Sequence, residues 1–324
     1  IYNVYTIPAK GGEMTAITAS DSTSVFAESY FPNDNRMLLR ADGNGDEIDH
    51  LFVRALDGTI KDITPEKGAK SSFYGWSKDD KHLYFGSNKR DPRFFDVYKL
   101  SIDGYAAEMI YQNNDGLNYS GMSSDAHFFA LSKTMNTNDS DLFLYDVKTK
   151  EMTKMNENLS ANSAQDFSED NSTFYYTTDD GGEFSYLMSY DLNSKSKIKF
   201  TYSKRVQRTT TFKMNPFPER EHSETLEQGD PNLLPEFIDN FEIGYNNSFS
   251  EDFSFFSNLF VRKTNNLINR VNSVYNDSIL NRIYSNVGNS NLYGLELGLQ
   301  LKPYKKWNNY FGGNIFYQDI EEPQ

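Results

Sequence analysis

Cysteine is absent from the 324 residues, which removes disulfides and thiolate chemistry at once. Also missing is any run of about 18 apolar residues, so no helix is expected to cross a membrane. Histidine occurs four times only, at His50, His82, His127 and His222, which leaves few candidates for a general base. The opening residues, Ile1-Tyr2-Asn3-Val4-Tyr5, have neither a basic region nor an apolar core. They show no signal peptide and read as the middle of a strand.

What is abundant points to strands. Tyr and Phe supply 22 and 25 residues, with Asn, Ser, Thr and Asp filling the spaces between short apolar runs. Aromatic and β-branched residues suit a pleated, half-buried surface, and small polar residues suit turns. No segment keeps a 3.6-residue apolar period for several turns, so an all-β chain is expected. Net charge is −14 and uneven. Residues 1–200 hold 20 Lys and Arg against 31 Asp and Glu, a balance of −11; residues 201–324 hold 12 against 15, a balance of −3. An acidic first part argues against nucleic acid as a partner, because phosphate binding needs a basic face.

Internal repetition dominates residues 1–200. An aromatic or Met followed three residues later by Asp occurs at Phe31–Asp34, Trp76–Asp79, Met122–Asp125 and Phe167–Asp170, with the aspartates 45, 46 and 45 residues apart. A second marker, Phe52, Tyr98, Phe143 and Leu187, keeps step at 46, 45 and 44. Each unit resolves into four strands with Asp57-Gly58 or Asp103-Gly104 as hairpin turns. Four strands in about 45 residues is the period of a propeller blade. The expectation is a partial β-propeller of about four four-stranded blades over 1–200, with Val4 to Thr18 as the end of a preceding blade.

The segments Tyr5–Glu13, Phe31–Asp34 and Trp76–Phe85 resemble blades of the propeller in prolyl-oligopeptidase-type serine peptidases, and TolB-like blades are similar. The stretch from Asn88 to Leu100 tilts the resemblance towards the peptidases. The resemblance implies a Ser, Asp and His triad on a separate α/β-hydrolase domain. Such a nucleophile needs a Gly-x-Ser-x-Gly elbow, and Gly121-Met122-Ser123-Ser124-Asp125, at a blade turn, is the nearest match. No triad can be assembled, so no catalytic residue is assigned and the chain is not expected to be an enzyme. His50, His82 and His127 are expected at equivalent strand edges, packing the blades. The run Asp42-Gly43-Asn44-Gly45-Asp46-Glu47 could open a calcium loop. However, Glu47 stands where Gly is needed and Val53 where Glu is needed. It is expected to be the hairpin that recurs at 88–91, 136–141 and 179–183. Neither metal nor cofactor is assigned.

After about Phe200 the period stops. Leu295, Leu297, Leu299 and Leu301 alternate with polar residues or glycine, and Phe253, Phe255, Leu259 and Val261 alternate similarly. Short connections are expected around 246–252 and 303–306, and a long one from 264 to 284. Tyr245, Trp307, Tyr310 and Tyr317 are expected near strand ends, as an interfacial girdle. Tyr202–Arg208, Asn215-Pro216-Phe217 and Gly229–Glu236 resemble the C-terminal barrel region of Bacteroidetes-type TonB-dependent receptors and related outer-membrane barrels, with Thr209 where that family has Pro. The resemblance implies energised uptake of a nutrient, and about five strands of an incomplete antiparallel barrel-like sheet over 201–324. Three functions follow as expectations: a propeller portion joined to a receptor fragment as a hybrid without full activity, a TonB-dependent transporter fragment, or a propeller module that binds a peptide or protein. The expected location is the periplasm or outer membrane. Lys197-Ile198-Lys199-Phe200 reads as blade and Thr201-Tyr202-Ser203 as barrel, with no linker between them.

Overall fold

The computed structural model describes residues 1–321 except 181, 183, 223, 251, 276–278, 305 and 306, with backbone only at 220–222. Strands dominate it, as the composition predicts. A short pair, β1 (Tyr5–Thr6) and β2 (Thr15–Ala16), precedes three four-stranded antiparallel sheets. The first holds β3 (Val25–Tyr30), β4 (Met37–Ala41), β5 (His50–Arg54) and β6 (Ile60–Asp62). The second holds β7 (Ser71–Trp76), β8 (His82–Asp91), β9 (Phe94–Ser101) and β10 (Ala107–Tyr111). The third holds β11 (Asn118–Met122), β12 (Phe128–Asn136), β13 (Asp139–Asp146) and β14 (Met152–Lys154).

Both faces of a middle strand are buried, which is why those strands read as continuous apolar runs. Leu83 and Phe85 of β8 pack with Leu38, Leu51 and Val53 of the first sheet. Tyr84, between them, joins Phe129 and Leu131 of the third. Burying one such side chain contributes roughly 1.5–3 kcal/mol. The second marker holds in register: Phe52 faces Leu39, Tyr98 faces Phe85 and Phe143 faces Leu131.

The repeat aspartates cap the turn between the first two strands of a blade. Asp79 Oδ1 accepts from the Ser77 hydroxyl at 2.6 Å and from Lys81 N at 3.1 Å. Asp125 and Asp170 do the same with Ser123 and His127, and with Ser168 and Ser172. The first repeat is out of step by one residue. Tyr30, not Phe31, pairs with the second strand where Trp76 and Met122 do. There Asn33 takes the positive φ that Asp80, Ala126 and Asn171 take elsewhere.

The fourth repeat comprises β15 (Asn162–Phe167), β16 (Thr173–Thr178), β17 (Tyr186–Asp191) and β18 (Lys197–Gln207). It does not end as a separate blade. After one helical turn, α1 (Thr211–Met214), come β19 (Glu219–His222), β20 (Thr225–Gln228), β21 (Glu236–Ser250), β22 (Phe253–Asn265), β23 (Ile268–Tyr275), β24 (Ile279–Asn286), β25 (Asn289–Tyr304) and β26 (Trp307–Glu321). One sheet runs in the order β15-β16-β17-β18-β21-β22-β25-β26. Strand β18 pairs with β17 over Lys197–Phe200 and with β21 over its whole length. The change from blade to barrel pattern therefore falls inside one continuous strand. By contacts the chain divides into Ile1–Ser172 with Tyr176–Glu183, and Thr173–Tyr175 with Phe184–Gln324.

The long connection expected over 264–284 is not an irregular loop. It holds the hairpin β23–β24, and β20 joins β24 in parallel to give the four-stranded order β19-β20-β24-β23. Alternation was hard to read there because polar residues occupy both faces of β23.

Candidate functional site

Register builds a layered surface from β18, β21, β22, β25 and β26. Lys204, Asp239, Lys263, Asn291 and Asp319 stand side by side in one row across the five strands. Two residues along each strand lies an aromatic-rich row, Tyr202, Phe241, Val261, Tyr293 and Tyr317. Then comes Phe200, Ile243, Leu259, Leu295 and Ile315, entirely apolar. Side chains alternate across a strand, so these rows share one face.

This face is open to its surroundings. Phe241 is 54% exposed, Leu259 52% and Ile315 75%. From Phe241 to Phe249 is eight steps along β21, roughly 27 Å of strand at ~3.4 Å per residue, with Ile243 and Tyr245 on the same face and Asn247 interrupting it. That suits the apolar band of an outer-membrane barrel, about 25 Å tall and bordered by aromatics.

The opposite face carries Thr201, Glu242, Asn258, Arg262, Glu296 and Gln318 between glycines and large rings. Phe260 faces Gly294 and Phe256 faces Gly298 across the β22–β25 ladder. A Cβ on either glycine would overlap the ring opposite. The rings thus lie over bare backbone, and only glycine admits them.

Of the expected girdle, Trp307 opens β26 and Tyr310 follows it, near the short connection. Tyr317 instead joins the aromatic row beside Tyr293. Tyr245 is a correction: it sits inside β21 opposite Ser257, below the all-apolar row, because β21 extends to Ser250. Sequence reading placed that strand's end too early. Phe241 and Tyr202 were missed as boundary residues, since only cross-strand register shows that they are neighbours; their ring centroids lie 4.6 Å apart.

The motif residues beyond β18 build the support for these strands. Gly229 N donates to Asn215 O at 2.7 Å and Asp230 N to Lys213 O at 3.0 Å. A Cβ on Gly229 would meet Lys213 O and Asn215 N at 2.5 Å, so the two backbone segments approach as only glycine allows. Glu227, 4% exposed, pairs with Arg270 at 2.6 Å and accepts from the Tyr284 hydroxyl at 3.0 Å.

In the propeller section the histidines divide. His82 opens β8 and His127 immediately precedes β12, both entering the second strand of a blade. His50 is a correction, because it opens β5, the third strand. His50 Nδ1 lies 2.8 Å from Asp62 and His127 Nε2 3.0 Å from Asp146. His222 lies in β19, and its side chain falls outside the described residues. Ser123, the nearest approach to an elbow serine, is fully buried and donates to Asp125 at 2.7 Å, closing a turn.

In the run that resembled a calcium loop, the carboxylates hold backbone. Asp46 Oδ1 accepts from Gly43 N and Ile48 N, both at 2.9 Å, and Asp42 Oδ2 accepts from Glu47 N. This loop joins the second and third strands of its blade. The expected recurrence differs in the next two blades: 88–91 lie within β8, and in 136–141 only 137 and 138 stand outside β12 and β13, while 179–183 includes 181 and 183, outside the described residues.

Residues 185–323 match the outer membrane protein beta-barrel family. Residues 16–209 match the prolyl oligopeptidase N-terminal beta-propeller domain, so both matches include 185–209. No curated protein matches. Among solved structures, one from a study of two prolyl endopeptidases is similar at 9% identity and TM-score 0.47, covering 94% of this chain and 51% of that one. TolB from Acinetobacter baumannii is similar at 16% identity and TM-score 0.41, covering 60% and 47%. Prolyl oligopeptidase B from Galerina marginata is similar at 12% identity and TM-score 0.43, covering 71% and 33%. The chain thus spans about half or less of the length of these solved chains. With the match over residues 16–209 taking in more than half of its length, the chain belongs to the family of the prolyl oligopeptidase N-terminal β-propeller domain.

Proposed function

We propose that the chain works at the cell envelope, with the sheet β18-β21-β22-β25-β26 set in the outer membrane and the propeller section binding a peptide or protein without cleaving it. The observation that carries the membrane part is the sequence of rows on one face: charged, aromatic-rich, then apolar. Water, interface and hydrocarbon require that order. The test is flotation of the full chain with phospholipid vesicles. Co-flotation that survives high salt and alkaline wash supports insertion, and recovery in the soluble fraction overturns it.

A second reading is favoured by one observation. Strand β18 serves the fourth repeat and the barrel ladder together, and both family matches include it. Natural fusions join at flexible polar linkers. A join inside a strand fits a hybrid of a peptidase propeller and a TonB-dependent receptor fragment, lacking the full activity of either. Reading native DNA across the codons for 195–205 decides it, because one continuous frame removes the hybrid.

A further inference from the structure

The crossovers from one blade to the next are filled differently. Between the second and third blades, Asn113, 1% exposed, donates to Leu117 O at 2.6 Å and accepts from Leu117 N at 3.1 Å. After the third blade, Asn156, 4% exposed, accepts from Leu142 N at 3.1 Å and donates to Asp141 and Asn158 O, each at 3.0 Å. After the first blade, the matching acceptor for a third-strand amide is the shorter Thr64, whose hydroxyl takes Leu51 N at 2.9 Å. Among the described residues the Thr64 hydroxyl makes that one bond, and a cleft of about 220 Å³ lies beside it.

The lining of this cleft has a definite chemistry. Glu66 and Lys89 bring opposite charges to it, the Ser71 and Ser87 hydroxyls line it, and Phe85 and Tyr105 supply ring surface. Lys89 Nζ stands 4.2 Å from the centre of the Tyr98 ring. Burial first, then Asp96 and more weakly Glu66, push the Tyr98 phenol up to about 12. Both charges therefore act around one ring. Among the described residues neither forms an ion pair.

We infer that this cleft binds a small zwitterion of the amino-acid or dipeptide class. Its carboxylate would lie towards Lys89, its ammonium towards Glu66 and its side chains against Phe85 and Tyr105. The inference rests on the reading of the propeller section as a peptide-binding module and names the place and the ligand chemistry. A volume below the usual 300–1,000 Å³ of drug-sized sites restricts it to small ligands.

The experiment is calorimetric titration of the full chain in detergent micelles with alanyl-alanine. The comparison ligand is N-acetyl-alanyl-alanine methylamide, which keeps the backbone and lacks both charges. Saturable binding of the free dipeptide is expected, weakened about tenfold by Lys89→Met and by Glu66→Gln. Thr64→Asn installs the plug that the other crossovers use, and should abolish binding while the melting temperature holds. Equal binding of the capped ligand, binding that survives Thr64→Asn, or no saturable heat overturns the inference. Vesicle flotation of Thr64→Asn should be unchanged, so failure of the cleft and failure of the membrane reading are told apart.

Discussion

Asp79 and Asp170 show how single residues set the blade turns. Hydrogen bonds to their carboxylates, from the Ser77 and Ser168 hydroxyls first and then from backbone N–H groups, hold both pKa values at about 2 against an ordinary 3.8. A depressed folded-state pKa means stability that is fully present above 3.8 and lost as pH falls towards about 2. Asp79→Asn should therefore lower the melting temperature at neutral pH and flatten its dependence on pH between 4 and 2. A profile as steep as the wild type's would remove this role from Asp79. Gly229 acts through space rather than charge. Gly229→Ala forces a methyl against Lys213 O and Asn215 N, and overpacking of this kind costs about 1–3 kcal/mol. Limited proteolysis should then cut earlier within 208–235 than in the wild type.

At the scale of elements, the middle strands of the blades hold the propeller section together. Phe129 is fully buried between the second and third sheets, and Phe129→Ala should cost about 3–5 kcal/mol in chemical unfolding. Lys99→Ala, on the neighbouring β9, leaves no comparable cavity and serves as comparison. In the second unit the element-level device is the ring over glycine. Gly294→Val should push the Phe260 ring off the β22–β25 ladder and weaken those two strands. Faster amide exchange confined to β22 and β25 would report it, and unchanged exchange would remove the pairing from the account.

For the whole molecule, the order of rows on the open face decides where the chain can reside. Leu259 lies in the all-apolar row, and an Arg or Lys at the middle of a barrel's lipid face costs about 2–4 kcal/mol. Leu259→Lys should reduce co-flotation with vesicles sharply, whereas Asn258→Lys, one residue along on the other face, should not; equal loss for both points to misfolding. Much of this was legible in the residues. The 45-residue period and the Asp-Gly turns marked four-stranded units, because blade strands alternate or run apolar according to how many faces they bury. The motifs Asn215-Pro216-Phe217 and Gly229–Glu236 announced a barrel relative, though not that they fold beside β24. The hairpin β23–β24 was invisible because polar residues interrupt the apolar ones on both its faces. The single-residue offset at Tyr30 was hidden because a repeat marker records spacing, not pairing. Sequence by itself thus determined the all-β class, the repeat and the two kinds of pattern, since these follow from local alternation and turn chemistry. Only the tertiary structure decided that β18 serves two ladders, that Lys204 to Asp319 form one charged row, and that Thr64 leaves a cleft. Each of these depends on which strand lies beside which, and hydrogen-bond register between residues far apart in the chain sets that.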